Sequence, residues 1–309
     1  MRVLLTGGSG LLGRALRRLA PEVAPDWSLI APTHDELDLR DRQATSRFFA
    51  ADRFDLIVHA AARVGGIAAN IANPTAFLLD NLEINGNVIG EASRVRVPAL
   101  LFLGSSCMYP KDLPRAIREA DLLSAPLEPT NEGYALSKIA GAKLCEFISA
   151  EQGLAFRTLI PSNLYGPGDH FEPGRSHLVA AALHKIHLAK LRGERSVEIW
   201  GDGTARREFL YVDDLARFIL GSSPDRLRDQ PMLMNVGTGS DHSILEYYRT
   251  GADVVGYGGG FSFNLAAPIG MRRKLLDSGR ARDYGWTAPT DLATGMAAAY
   301  DDYRARNDR

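Results

Sequence analysis

Apolar residues in this chain gather in short unbroken runs, separated by segments where they recur every three or four positions. The runs RVLLTG from Arg2, WSLIAP from Trp27, FDLIVHAAA from Phe54 and ALLFLGSS from Ala99 predict strands. Unbroken rather than alternating apolar character marks strands covered on both faces, the habit of parallel sheets. Between them, LLGRALRRLA from Leu11, RQATSRFFA from Arg42 and DNLEINGNVIGEASR from Asp80 carry helical spacing. A further helix is predicted from Tyr134 to a stop at Gly153. The strand FRTLIPSNLYGP follows from Phe156 and opens into a loop of glycine and proline. Strands alternating with helices predict an α/β fold built on a doubly wound parallel sheet.

After Pro167 the rhythm changes to glycine- and proline-rich loops with short strands (VEIWG, MLMNVGTG) and helices around 178–191 and 245–248. Residues 1–166 are therefore expected to form a dinucleotide-binding Rossmann unit, rejoined by a return segment near 209–236. Residues 167–208 and 237–309 are expected to form a smaller substrate-binding unit. The cluster Gly256 to Gly260 reads as a turn.

Composition narrows the class. A net charge of -1 gives no reason to expect nucleic acid or an anionic membrane as partner. Two cysteines without paired spacing argue against a disulfide framework and fit a reducing cytosol. A strand run directly after Met1 leaves no room for a signal peptide, and no apolar stretch approaches the ~20 residues of a membrane span. The expectation is a soluble cytoplasmic protein.

Three features carry chemistry. The first is TGGSGLLG, which spaces Gly7, Gly10 and Gly13 between the first strand and the first helix. Glycine there permits a tight turn and lets a pyrophosphate approach the helix N-terminus. Gly7, Gly8, Ser9, Gly10, Leu11, Leu12 and Gly13 are thus candidate cofactor contacts. The acid that usually holds a ribose 2′-hydroxyl after the second strand is missing, since Ala31, Pro32, Thr33 and His34 stand there. Its absence favours NADP(H) over NAD(H), which stays open; His34 is the candidate for the 2′-phosphate. Asp38 is placed to meet the adenine edge or to cap a helix.

The second feature is Tyr134 and Lys138, one helical turn apart in YALSK. With ten tyrosines and six lysines in 309 residues, only about 0.2 such pairs are expected by chance. The chain uses thirty arginines against those six lysines, so a lysine kept here points to a compact ammonium beside a phenol. An ammonium favours phenolate and makes a proton donor and acceptor usable near neutrality. Ser105, at the carboxyl end of ALLFLGSS, supplies a second hydroxyl for one carbonyl oxygen. The third feature is Cys107 in FLGSSCMYP, next to these hydroxyls.

Together with HAAARVGGI, LFLGSSCMYPK, EPTNEGYALSKIAGAKLCE, IPSNLYGPGDHF, WGDGTARREFLYVDDLA and NVGTG, these motifs resemble the extended short-chain dehydrogenase/reductase family. Within it the chain is similar to the GDP-L-fucose synthases, the epimerase/reductases of GDP-4-keto-6-deoxymannose. The resemblance implies epimerisation at carbons 3 and 5 of a GDP-linked 4-keto-6-deoxy sugar, followed by reduction at carbon 4 with NADPH. A related epimerase or reductase of another GDP- or UDP-linked deoxyhexose, dideoxyhexose or heptose is the alternative. By position the resemblance makes Cys107 the base and His177 the acid, with Ser105 and Tyr134 holding the oxygen and Lys138 shared with the cofactor. It adds Pro161, Asn163 and Leu164 to the cofactor site and gives Lys185, Trp200 and Arg207 to the nucleotide sugar. It also implies a homodimer through paired helices.

The chain departs from the family pattern at three places. Ser9 and His34 stand where many bacterial members carry arginines. Pro268-Ile269-Gly270 replaces Pro-Asp-Gly, and Gly168 and His170 replace the histidine and asparagine of PHDNF. Asp213 is expected to cap DLARFIL. His184 and His187 lack a third metal ligand and read as surface residues, with no metal expected. Cys145 reads as a small buried hydrophobe.

Overall fold

A computed structural model of the chain describes residues 1–111, 113–172, 176–267 and 271–307. The first half alternates strand and helix: β1 (Arg2–Thr6), α1 (Leu11–Val23), β2 (Ser28–Ile30), α2 (Arg42–Ala51), β3 (Leu56–His59), α3 (Ile67–Ala72), α4 (Pro74–Arg94), β4 (Ala99–Leu103), α5 (Glu132–Gln152) and β5 (Ala155–Pro161). Local chemistry sets the ends. Asp41 starts α2 by accepting the amides of Gln43 and Ala44. Pro74 occupies the first turn of α4, which begins there rather than at Asp80. Gly153 stops α5 with φ of 70°, where a side chain would be strained.

The second half continues with β6 (Asn163–Tyr165), α6 (Leu178–Arg192), β7 (Ser196–Trp200), β8 (Arg206–Arg207), β9 (Phe209–Tyr211), α7 (Val212–Leu220), α8 (Pro224–Asp229) and β10 (Leu233–Val236). Then come β11 (His242–Ser243), α9 (Ile244–Val255), β12 (Gly260–Asn264), β13 (Arg273–Lys274), α10 (Gly279–Asp283) and α11 (Leu292–Asn307).

Six parallel strands form the central sheet in the order β10-β5-β4-β3-β1-β2. Successive residues of each strand serve opposite faces. Val3, Leu5, Val58 and Leu101 pack with Leu16 of α1 and Leu215 and Ile219 of α7. Leu4, Ile57, Leu100 and Phe102 pack with Val88 and Ile89 of α4 and Ile139 and Cys145 of α5. Helices on both faces make the sheet doubly wound. β1 lies between β2 and β3, so the strand order reverses there and opens a crevice at the carboxyl ends, where such sheets take ligands.

A third core joins Val179, Leu183 and Ile186 of α6 to Ile199, Tyr247, Val255, Met296 and Tyr303. The segment FRTLIPSNLYGP is two strands, not one. The amide of Ser162 still bonds Val236, but beyond it the polar Ser162–Asn163 pair leaves the sheet and β6 pairs with β9. α7 and β10 rejoin the first core and the central sheet, and Ala281 and Trp286 pack in that core too. Gly256 caps α9 with φ of 70°, and Gly260 opens β12. No described helix is long and apolar enough to cross a membrane.

Candidate active site

β1 hands the chain to Gly7, whose φ of 76° and crowding both require glycine. A β-carbon there would stand 2.7 Å from the amide nitrogen of Ala61. Gly13 is tighter still, since a β-carbon would reach 2.1 Å from the carbonyl oxygen of Gly7. Gly10 begins α1 without a side-chain cap, and no acidic residue occupies the first turn. The first amides of α1 thus lack a side-chain acceptor and can receive an anion. This cradle fits a dinucleotide pyrophosphate. Ser9 and Gly10 are exposed and Leu11 is half-buried, whereas the side chain of Leu12 belongs to the first core, leaving only its backbone for the cofactor.

At the other end of the crevice, the buried Lys138 donates a 2.7 Å hydrogen bond to the carbonyl of Leu103 and lies 4.8 Å from the Phe102 ring centre. Its ammonium is 6.0 Å from the Tyr134 ring centre. Burial lowers Lys138 to about 7. Desolvation and the neighbouring Cys107 raise the Tyr134 phenol above its usual value, against a hydrogen bond with Ser105 that lowers it. The expected phenolate-favouring tuning is therefore corrected. In this environment Tyr134 keeps its proton and can donate it, because desolvation outweighs a lysine that spends its own proton on Leu103.

Ser105 accepts a 3.2 Å hydrogen bond from the amide of Cys107 and caps the turn Ser106–Met108. That turn aims Cys107 into the same crevice. Its sulfur accepts from Asn131 Nδ2 at 3.2 Å and from Lys274 Nζ at 3.6 Å, two donors suited to receiving charge on sulfur. His177 is the N-cap residue of α6, and its side chain makes no capping bond. Desolvation, then the charges of Lys274 and His170, lower its pKa. Lys274 is thus the group that connects Cys107 with His177, and the sequence reading missed it.

Of three further predicted residues, two meet. Lys185 Nζ lies 5.4 Å from the ring centre of Trp200, whose side is 56% exposed and open to a ligand face. Arg207 is half-buried and bonds the carbonyl of Arg206 at 2.8 Å. Its partner across the β8–β13 ladder is Lys274, so Arg207 and the lysine beside the thiol share one small sheet. Pro161 ends β5, and Asn163 and Leu164 follow it on β6, directly after the sheet edge that faces the crevice.

Known proteins resemble this chain over its length. The model of the NAD dependent epimerase/dehydratase family matches residues 3–237. The chain belongs to that family. Within this epimerase/dehydratase family it is 44% identical to a GDP-L-fucose synthase of Azorhizobium caulinodans, over 99% of this chain and 97% of that protein. It is 43% identical to a GDP-L-colitose synthase of Yersinia pseudotuberculosis, over 96% of each. A GDP-mannoheptose C4 reductase from Campylobacter jejuni, solved with NADP bound, is 32% identical with a TM-score of 0.89 over 98% of each chain.

The structure refines several readings and overturns the Asp213 cap and the surface placement of His187. Asp38 is held by Arg40 at 2.7 and 3.0 Å, which lowers it to about 2, and Asp41 caps α2 instead. His34 is exposed, 4.0 Å from Asp38. Asp213 does not cap α7: Tyr211 is the N-cap residue, and Asp213 pairs with Arg18 from α1. Arg206 pairs with Asp241 and Glu246, and the buried Glu208 accepts the amides of Leu276 and Gly239. His187 is buried, not a surface residue, and bonds Tyr300 at 2.9 Å; the half-buried His184 bonds Tyr303 at 2.9 Å. Tyrosines of α11 bond one ring nitrogen of each imidazole. Gly168 has φ of 91°, and a β-carbon there would stand 3.2 Å from Arg14 Nε. Arg14 bonds the Gly168 carbonyl, Asp302 accepts the Gly168 amide at 2.7 Å, and Arg306 reaches the Asp169 carbonyl at 3.2 Å. Ile269 lies outside the described residues.

Proposed function

We propose that this chain is an NADP-dependent epimerase/reductase that converts GDP-4-keto-6-deoxy-D-mannose to GDP-L-fucose. The observation that carries the reading is the placement of Cys107. A ketone reductase needs only a proton donor and an oxygen grip, which Ser105, Tyr134 and Lys138 already supply. A thiol on the adjoining turn, facing an ammonium and an amide, serves the removal of protons from carbons beside that ketone. Support comes from full-length relatives at 44% and 43% identity that are named for the synthesis of GDP-linked sugars.

In this reading Lys185, Trp200 and Arg207 bind the GDP-sugar, and Ser105 and Tyr134 bind the ketone oxygen. Cys107, starting as the thiolate, takes the proton as negative charge moves to that oxygen, where the two hydroxyls stabilise it. His177 returns a proton to the opposite face; held neutral in the free site, it must first be protonated. Gly7 to Gly13 hold the cofactor pyrophosphate, and Lys138, Pro161, Asn163 and Leu164 line its other end. NADPH, when bound, would supply a hydride, one proton with two electrons, to the ketone carbon. Tyr134 then delivers its retained proton to the oxygen.

We place the cofactor in residues 1–166 with 209–236 and the sugar nucleotide against 167–208 and 237–309. We also infer a cytoplasmic homodimer through α4 and α5. Leu79, Leu82, Leu136 and Phe147 on these helices expose apolar side chains.

The test is one reaction in deuterated water with NADPH and GDP-4-keto-6-deoxymannose. Expected are NADPH oxidation and deuterium at carbons 3 and 5 of a fucose product. Oxidation without deuterium at either carbon would reduce the enzyme to a ketoreductase, and no oxidation would remove the reading. The Yersinia relative and the departures at Gly168 and His170 favour, as second reading, another GDP-linked deoxyhexose, dideoxyhexose or heptose. Faster turnover of such a sugar would establish it.

A further inference from the structure

We propose that Arg17, on the second turn of α1, grips the 2′-phosphate of NADP in this chain. The proposal rests on the reading above that the crevice takes NADP.

In a Rossmann crevice the adenosine ribose lies at the carboxyl end of the second strand, where an acid selects NAD and a cation selects NADP. Here that end is Ala31, the residue after β2. Gly8 lies between it and α1. A β-carbon on Gly8 would stand 3.1 Å from the methyl of Ala31 and 3.4 Å from Cδ of Arg17. The aliphatic stem of Arg17 therefore runs beside the glycine loop on the side of Ala31, and its guanidinium begins one bond beyond Cδ.

Partner bookkeeping separates Arg17 from its neighbours. Arg14 is committed to Gly168 and Arg18 to Asp213. Arg17 is exposed and makes no hydrogen bond or ion pair with any described residue. Binding a phosphate there breaks no existing pair. The carboxylates that would repel the phosphate are mostly spent: Glu36 accepts the amide and hydroxyl of Thr33, and Asp38 is held by Arg40. Asp35 is exposed and is the rival influence, favouring a ribose hydroxyl. The exposed Ser9 and His34 can assist Arg17 but carry no permanent charge. In this chain the helix, not the loop or the strand end, supplies the permanent cation.

Titration calorimetry of the cofactor-free protein with 2′,5′-ADP and with 5′-ADP tests this without turnover. Wild type is expected to bind 2′,5′-ADP more tightly. Arg17→Gln should weaken 2′,5′-ADP by about 10- to 100-fold, the range of a charged hydrogen bond, and leave 5′-ADP within about twofold. Arg17→Lys should recover part of the loss, and His34→Ala should cost less than about threefold. Unchanged 2′,5′-ADP affinity in Arg17→Gln, or equal loss of both nucleotides, overturns the role of Arg17 while leaving the cofactor reading intact. Wild type that fails to prefer 2′,5′-ADP overturns the NADP reading and the proposal with it.

Discussion

The ammonium of Lys274 stands 3.6 Å from the sulfur of Cys107, across 167 positions of chain. Two backbone devices hold it there. β13 pairs with β8, and the neighbouring Leu276 bridges to Ile117 while its amide bonds the buried carboxylate of Glu208. Glu208 is thus a positioning residue for Lys274, and Lys274 a partner of the thiol.

Replacing Lys274 should separate proton exchange from cofactor binding. Lys274→Gln is expected to slow deuterium uptake into the sugar by about 10- to 100-fold, and Cys107→Ser by more. NADP affinity should not move in either. Proton NMR of the sugar ring and a fluorescence titration read the two quantities; a loss of NADP binding in Lys274→Gln would assign the lysine to the cofactor instead.

Tyr134→Phe removes the phenol that its surroundings keep protonated. Reduction should fall by about two to four orders of magnitude. Single-turnover oxidation of NADPH measures it, and a loss below tenfold would hand the proton to another donor.

Lys138 makes stability depend on pH. Its pKa lies near 7 in the fold, against 10.5 ordinarily. The unfolded chain therefore binds more protons between these values, and folding gains stability as pH rises from about 7 to 10.5. Below pH 7 the cost of burying the ammonium is present in full. Lys138→Met should accordingly raise the melting temperature relative to wild type most at pH 6, with the difference shrinking towards pH 10. A difference that is constant with pH would mean the ammonium is not desolvated.

Gly168 and Arg14 form a matched pair. Gly168→His, which restores the usual family residue, meets both the φ of 91° and the Arg14 side chain, and should cost about 1–3 kcal/mol. Adding Arg14→Ala should recover only the steric part. Urea denaturation of the single and double variants checks this, and an unaffected single variant would show that the loop simply rearranges.

How much of this was legible in the sequence depended on range. The glycine cradle and the Ser105–Cys107 and Tyr134–Lys138 spacings are local, so a few consecutive residues expose them. The sheet was legible because buried parallel strands need unbroken apolar runs, as in Leu100, Leu101 and Phe102. Lys274 was not, because its partner is set by the β8–β13 ladder; yet the lysine scarcity that marks Lys138 marks Lys274 equally. The burial of His187 needed the tyrosines of α11, and the pairing of Asp213 needed Arg18, neither visible from spacing. The phenol was misjudged because proximity of a lysine says nothing about where its proton points.

Asp302 and Arg306, on the final helix, grip the backbone of residues 168 and 169 from 134 and 137 positions downstream. The loop cannot be fastened until α11 has formed and docked. The shape of this loop is thereby set by how α11 docks and not by the residues beside it in sequence.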